Sequence, residues 1–317
     1  MGPPAPPATP PRIPRAYAWM ALSAVLFSSM NFFARLASAG SPWQLVGAAR
    51  ALTGALIAAL VATARGVPLR PRQPRRMWAR SALGTVAMVC TFYALSRGEL
   101  PLGDTTTLLN LTPVILALLT PAFLGERTGP RVFVALAISL SGVALVLRPA
   151  ALFGAGVATG PGTLAAGAVA TLASVFGAFA MMALRKLGQS EAPEPIALHF
   201  SLVAAATFSL LALPSLRIPG AKDALYMCAA GVSAGLAQLA MTRAYALERA
   251  ARVSAVSYLA VATSAAAGAL ALHEWPAPLT LGGMGLVVAG GLLIALDRTP
   301  APAPAEPAAV EPAPASR

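Results

Sequence analysis

The stretch "LPLGDTTTLLNLTPVILALLTPAFLGERTGPR", residues 100–131, decides how the whole chain is interpreted. It is an apolar run of about twenty residues, the length that spans a bilayer as a helix. Pro113 within the run has no N–H and frees a carbonyl one turn earlier, which is tolerable only beside protein or a wet cavity. The stretch therefore predicts a kinked, cavity-lining membrane helix, with Pro113 acting as a moving hinge or as a fixed kink.

Similar apolar runs recur along the whole chain. Of its 317 residues, 57% are apolar and only 11% are charged, whereas soluble globular proteins carry about 25% charged residues. This composition excludes a water-facing globule and predicts an all-α integral membrane protein. The net charge of +12 does not indicate nucleic-acid binding, because the arginines lie at the ends of apolar runs. We interpret the densest cluster, from Arg65 to Arg80, as a cytoplasmic loop that obeys the positive-inside bias.

Ten apolar segments are predicted to cross the bilayer. They lie near residues 17–37, 43–64, 78–96, 104–124, 131–148, 161–184, 196–213, 224–246, 253–272 and 279–296. An even number of spans puts both termini on one side. With the termini inside, sixteen Lys and Arg residues face the cytoplasm and five face outward, which favours cytoplasmic termini in the plasma (inner) membrane.

The second half of the chain repeats the first. "FYALSRGELPLGD" begins at Phe92 and "AYALERAARVS" begins at Ala244, and each leads through an apolar helix to Glu126 or Glu274. With five helices in each copy, the second copy must cross the membrane upside down. Inverted repeats of this kind are typical of secondary transporters, which hold substrate near the midplane between the halves.

The sequence resembles the drug/metabolite transporter superfamily, in its ten-helix EamA type. The resemblance rests on residues 100–129 followed by "ALAISLSGVALVLRP", on "FSSMNFFARLASAGSPWQLVGAAR", and on Tyr258 with "HEWP". It implies two inverted five-helix repeats around a central cavity that carries small metabolites. Val261 stands where a second Pro113 would be expected, so we expect the ninth helix to be straighter than the fourth.

The resemblance and the run boundaries divide the chain into five parts. A Pro-rich N-terminus (1–15) precedes the first repeat (16–149), and a linker (150–160) leads to the second repeat (161–297). A Pro/Ala-rich tail (298–317) follows and has no capacity to form a core. Glycines in the last helix suit close helix packing, and we leave self-association as a homodimer open.

Polar side chains inside apolar runs are candidates for function, because their burial in lipid is costly. The predicted cavity residues are Asn31, Arg50, Tyr93, Asn110, His199, Gln238, Arg243 and Tyr258. Arg50 is the sharpest candidate, since its guanidinium keeps its proton and needs an anionic or carbonyl partner. It would bind a substrate carboxylate or phosphate, or else helix ends or an acid such as Asp104.

Glu126 and Glu274 close their helices, and we interpret both as structural caps or gating groups that accept backbone N–H groups. No Asp or Glu is predicted at mid-depth, so exchange or facilitated diffusion is as well supported as proton coupling. No cofactor, metal site or catalytic residue is predicted.

The leading hypothesis is a secondary-type transporter in the lipid bilayer. It moves small organic solutes, amino-acid-like or anionic and zwitterionic, by alternating access. The alternatives are a non-transporting receptor or scaffold, and a membrane enzyme, for which the chain offers no convergent catalytic group.

Overall fold

The structure, a computed structural model, describes residues 12–98, 100–124, 130–147, 160–188, 190–247, 253 and 255–295. This part of the chain is helical and contains no β-strand. The helices are, in chain order, α1 (Arg12–Gly40), α2 (Trp43–Ala64), α3 (Pro74–Ser96), α4 (Leu102–Leu109), α5 (Thr112–Leu124), α6 (Pro130–Leu147), α7 (Pro161–Leu187), α8 (Pro193–Ala212), α9 (Ala221–Leu247), α10 (Leu259–Ala271) and α11 (Pro278–Ala295).

Proline marks the start of many of these helices. A helix leaves the N–H groups of its first turn unpaired, and the fixed φ of proline already suits the first helical position. The helices that begin at proline are those at Pro74, Pro130, Pro161, Pro193 and Pro278. The most extensive helix pairs join elements that are far apart in the chain: α1 with α9, α2 with α8, α3 with α7, and α6 with α11.

The chain is a multi-pass helical membrane protein, and its exposed surface is apolar. Among the described residues, five helical spans are long and apolar enough to cross a membrane: Arg15–Gly40, Trp43–Ala64, Pro161–Leu187, Pro193–Ser215 and Ala221–Tyr245. On α2, Leu52, Leu56 and Leu60 are each more than half exposed, while Ala51 and Ala55 are buried. Large apolar residues outside and small ones inside are expected when lipid is the solvent and helices pack through small residues.

The bundle has two ends, which we name from α1. The basal end is where α1 begins, and the distal end is where α1 ends at Gly40. Helix α9 packs antiparallel along α1: Ser23 Oγ donates to the Ala237 carbonyl at 2.9 Å, and Ser41 Oγ lies 2.8 Å from Asp223 Oδ2 at the distal end. Helices α2 and α8 form another close pair.

The predicted kinked helix at 104–124 is in fact broken. Helix α4 ends at Leu109, and α5 begins at Thr112 just before Pro113. Ser174 Oγ on α7 donates to the carbonyls of Leu108 and Leu109, at 2.6 and 2.9 Å. The single hydroxyl hydrogen of Ser174 is shared between the two oxygens. Because another helix supplies this donor, the Leu109 carbonyl that Pro113 leaves without an N–H is satisfied without water.

Asn110 and Thr112 stabilise the break from within. Asn110 Nδ2 donates to the Thr106 carbonyl at 2.9 Å, and Thr112 Oγ1 donates to the Leu109 carbonyl at 3.2 Å. Ser174 comes from a distant part of the chain, so no local pattern in residues 100–131 indicates its role.

The ninth span begins with a 3-10 turn at Ala255–Tyr258, which leads directly into α10 (Leu259–Ala271). The expectation that this span is straighter than the fourth stays a prediction. The junction lies 148 residues after Asn110–Leu111, the offset that also separates Glu126 from Glu274. No proline stands there. The buried ring of Tyr258 lies against Gly291 of α11, so tertiary packing holds the position.

Arg80 corrects a second prediction. The interpretation of residues 65–80 as one exposed loop fails, because α3 already begins at Pro74. Arg80 lies two turns into that helix and is only 1% exposed.

Several predictions fall outside the described residues. These are the Pro-rich N-terminus up to residue 11, most of the 150–160 linker, the whole tail (298–317), and Glu126.

Glycines bring α6 and α11 into backbone contact. A Cβ at Gly283 would lie 2.7 Å from the Gly142 carbonyl oxygen, and one at Gly142 would lie 2.6 Å from the Gly283 carbonyl oxygen. Both distances are too short for a real Cβ atom. Gly282 and Gly285, on the same helix, have no atom within 4 Å of such a Cβ. The glycines of α11 therefore serve two surfaces, one packed and one open.

We expect Gly283→Ala to lower the free energy of unfolding by about 1–3 kcal/mol, because the added methyl group overpacks the contact with α6. Gly285→Ala on the open surface is the matched control. It should leave stability unchanged or raise it by up to about 1 kcal/mol through helix propensity. Thermal unfolding of both variants in the same detergent measures the difference, and equal melting temperatures would contradict the packing.

Candidate substrate-binding cavity

A cavity of about 260 Å³ lies between α1, α2, α3, α7, α8 and α9, beside the break that separates α4 from α5. Much of its wall is apolar and flexible, with methionines contributed by several helices. On α9 the lining residues, Gln238, Met241 and Tyr245, all lie towards the basal end of the helix. On α1 the lining extends from Met20 to Asn31 and on α3 from Arg80 to Phe92, so the cavity occupies the middle of the bundle.

Arg50 reaches the cavity from the middle of α2. It is 5% exposed, and its Nη1 donates to the sulfur of Met88 at 3.2 Å. A thioether is a weak acceptor, so this bond does little for a guanidinium. The Nε of Arg50 is buried and has no hydrogen-bond partner among the described residues.

Arg80 joins Arg50 in the cavity wall. Its Nε and Nη1 are also buried without a partner in the described part of the protein. Gly84, one turn further along α3, makes room for it, since a Cβ at Gly84 would lie 2.3 Å from Arg80 Nη1. The two guanidinium carbons lie 5.5 Å (Arg50) and 4.6 Å (Arg80) from the centre of the Phe200 ring.

The charge of the cavity wall is one-sided. Among the described residues that line it, two are arginines and none is Asp or Glu. A charge taken out of water into a helical membrane bundle is costly unless it is paired or hydrated. The arrangement therefore favours an anionic group in the cavity.

Neutral polar groups complete the wall. Asn31 Nδ2 lies 3.5 Å from Thr106 Oγ1, while Asn31 Oδ1 and Gln238 Nε2 are buried with no partner among the described residues. Asn110, at the break between α4 and α5, also lines the cavity. These amides can accept and donate hydrogen bonds to an uncharged part of a solute.

Four of the eight predicted cavity residues thus lie together: Asn31, Arg50, Asn110 and Gln238. Pro113 also lines the cavity. The other four, Tyr93, His199, Arg243 and Tyr258, contact other parts of the bundle and are not among the lining residues.

Each of those four has a different local partner. Tyr93 Oη accepts from Arg97 Nη2 at 2.8 Å, and His199 Nδ1 lies 2.8 Å from Ser81 Oγ. Arg243 lies over the ring of Trp19, with its Nη2 4.0 Å from Glu194 Oε1. Tyr258 is buried against α11. A position within a run does not state which face of the helix a side chain occupies.

The residues that the sequence analysis missed carried a weak signal. Arg80, Gly84 and Met88 recur at intervals of four, so they share one face of α3. Phe200 and Tyr245 also line the cavity. Both are aromatic residues of a kind common in any helical core, and their neighbours in the sequence do not distinguish them from core residues.

An ion pair joins the two halves of the chain at the distal end. Glu274 Oε1 accepts from Arg35 Nη2 at 2.9 Å, and Glu274 Oε2 accepts from the backbone N–H of Leu102 at 2.6 Å. Leu102 is the first residue of α4, so the carboxylate caps that helix and lies at the positive end of its dipole. The cap stabilises a helix in the other half of the chain.

Arg35 ties the connection between α3 and α4 to the same ion pair. Its guanidinium donates to the carbonyls of Leu95, Arg97 and Leu100, at 3.1, 2.9 and 3.0 Å. His273, with φ of 57°, turns the chain after α10, and the N–H of Glu274 returns to the Gly268 carbonyl. At the distal end, one arginine and one carboxylate therefore hold together α1, the connection between α3 and α4, the start of α4 and the segment after α10.

A helical membrane bundle that encloses a charged cavity has the architecture of a solute transporter. The EamA-like transporter family model matches residues 14–148 and 165–296, which together make up most of the chain. The chain belongs to the EamA-like transporter family, within the drug/metabolite transporter superfamily. Family membership points to a transporter rather than an enzyme.

Characterised relatives agree with this assignment. The chain is 29% identical over 279 residues to the pseudopaline exporter CntI of Pseudomonas aeruginosa. The aligned region covers 88% of this chain and 94% of that relative. The same exporter from a second strain is 29% identical over 283 residues. A solved crystal structure of a protein has a TM-score of 0.66 at 22% identity and covers 88% of this chain and 95% of that one, which shows a shared fold.

We expect Glu274→Ala to lower the free energy of unfolding by about 2–3 kcal/mol, because Arg35 and the first turn of α4 lose one charged acceptor together. Glu274→Gln keeps a neutral acceptor and should lose less. Thermal unfolding of the detergent-solubilised protein measures both variants. An unchanged melting temperature in Glu274→Ala would show that the contact contributes nothing to the stability of the distal end.

Proposed function

We propose that this protein is a secondary transporter that moves small acidic or zwitterionic organic solutes across the plasma (inner) membrane by alternating access. The observation that carries the proposal is the buried Arg50 and Arg80 pair in a cavity whose described lining has no acid. A volume of about 260 Å³ lies just below the range of about 300–1,000 Å³ that is usual for ligand pockets. The solute is therefore a small metabolite.

The alternating mechanism rests on ten helices in two inverted repeats of five. Helix α4 gives way to α5 at Asn110–Leu111, and the 3-10 turn gives way to α10 at Tyr258–Leu259, 148 residues later. Arg35 on α1 has a counterpart 150 residues later in Arg185 on α7. Equivalent interruptions in two inverted halves give equivalent routes to the same cavity from either side.

Sidedness and direction complete the proposal. The basal end carries the exposed arginines Arg65, Arg70, Arg72, Arg75 and Arg76. By the positive-inside bias this end faces the cytoplasm, together with both termini. The relatives that the chain resembles are named as exporters, so we propose export from the cytoplasm.

The first test uses the purified full-length protein in sealed liposomes exposed to a pooled metabolite mixture. Mass spectrometry of the vesicle contents, against protein-free vesicles, identifies the solutes that enter. We expect selective entry of acidic or zwitterionic solutes. If no solute enters under either direction of an imposed proton gradient, transport is refuted and a receptor or scaffold becomes the better explanation.

Arg50→Ala should reduce that entry at least about tenfold, since a charge-assisted bond to the solute is lost. Insertion into the membrane should be retained. Arg75→Ala, which removes an exposed arginine from α3, is the matched control and should transport at the wild-type rate. Wild-type entry in Arg50→Ala would remove Arg50 from the solute pathway.

A further inference from the structure

Arg50 and Arg80 share one aromatic ring, although they come from different helices. Arg50 belongs to α2, Arg80 to α3, and the ring of Phe200 to α8. Both guanidinium carbons lie within cation–π distance of its centre, at 5.5 and 4.6 Å. The electron-rich faces of the ring hold the two cations in place, yet the ring carries no net charge that could neutralise them.

The donors that remain unused suit acidic oxygens. A guanidinium has five N–H donors in a flat fork that matches the paired oxygens of a carboxylate or phosphate. The Nε atoms of Arg50 and Arg80 and the Nη1 of Arg80 are buried and lack partners among the described residues. Weak contacts and unused donors on both groups indicate two anion-binding positions in one cavity.

The rest of the wall is neutral. The described lining contains no carboxylate that could neutralise either arginine or bind an ammonium group. Its other polar groups include the amides of Asn31, Asn110 and Gln238, which suit hydroxyl, amide or ether groups. The wall therefore carries two positive charges for the solute to balance.

We propose that the solute carries at least two acidic groups, carboxylate or phosphate, which are bound by Arg50 and Arg80 beside Phe200, and that a neutral polar part contacts the amides. This deepens the proposed function and rests on it, because it narrows an acidic or zwitterionic solute to a multiply acidic one. Phe200 is a positioning residue that sets the separation of the two arginines.

Binding of a charge series tests this directly. The probes are glutarate, its monoamide and its diamide, which are close in size and differ in charge, together with citrate and glycerol 3-phosphate. Isothermal titration of the full-length protein in chloride-free buffer measures the dissociation constants. We expect at least one multiply acidic probe to bind, and glutarate to bind more tightly than its monoamide and diamide.

Variants of the two arginines assign the effect. Arg50→Gln and Arg80→Gln should each weaken binding of the acidic probe by roughly 10- to 100-fold. Arg75→Gln, on the exposed part of α3, should leave it unchanged. Arg50→Lys keeps the charge and loses the flat fork, so it should still prefer acids over amides. If a Gln variant does not fold, the wild-type charge series decides alone.

Transport gives an independent reading of the same question. In vesicles of phosphatidylcholine, which supply no net anionic headgroup, every solute that enters from the metabolite mixture is sorted by its number of acidic groups. We expect the transported solutes to carry two or more. Entry of singly acidic or zwitterionic solutes alone would overturn the inference while leaving the proposed function intact, whereas entry of uncharged solutes alone would overturn both.

The failures are distinguishable. If nothing enters the vesicles but the acid series still binds with the expected order, the transport proposal fails and the anion site remains. If the acids bind no better than their amides, the anion site is refuted whatever the transport assay shows.

Discussion

The rest of this structure depends on two guanidinium groups that are held inside an apolar bundle without an acidic partner among the described residues. Each costs several kcal/mol to bury unless something compensates it. Compensation comes from Phe200, from the space that Gly84 leaves beside Arg80, and from a cavity that water or a solute can fill. An apolar side chain in place of either arginine would pack at lower cost. The charges therefore belong to function rather than to stability.

The broken helix serves the same cavity. Irregular backbone in a membrane is tolerable where it is buried in protein or lines an aqueous space, and the junction at Asn110 meets both conditions. Ser174 satisfies the freed carbonyls on the protein side, while Asn110 and Pro113 face the cavity. Asn110, Thr112 and Ser174 bind the backbone at this junction. The junction therefore has a fixed position, at which the axes of α4 and α5 can point in different directions.

Much of this architecture could be predicted from sequence because lipid imposes simple rules. Run length and proline located the helices, and polar residues deep within runs identified Arg50 and Gln238. Arg80 was not predicted as a cavity residue because it lies at the edge of an apolar run. At such a position the positive-inside bias accounts for an arginine as well as a role in the cavity does. His199 and Arg243 were assigned by depth alone, yet the face that a helix presents is set by its neighbours. Those contacts are tertiary, so they could not be inferred from a single sequence.

Glu274 has a consequence for how the protein is made. The carboxylate that caps α4 is 172 residues further along the chain than Leu102. During synthesis, α4 and Arg35 are made well before Glu274. Both therefore lack their carboxylate partner until the end of the chain is made. The early helices must therefore persist in the membrane as a provisional assembly, protected by the insertion machinery or by neighbouring lipid. The distal end takes its final form only when the last helices are in place. A ribosome that stalls before Glu274 therefore releases a product that lacks both the ion pair with Arg35 and the cap of α4.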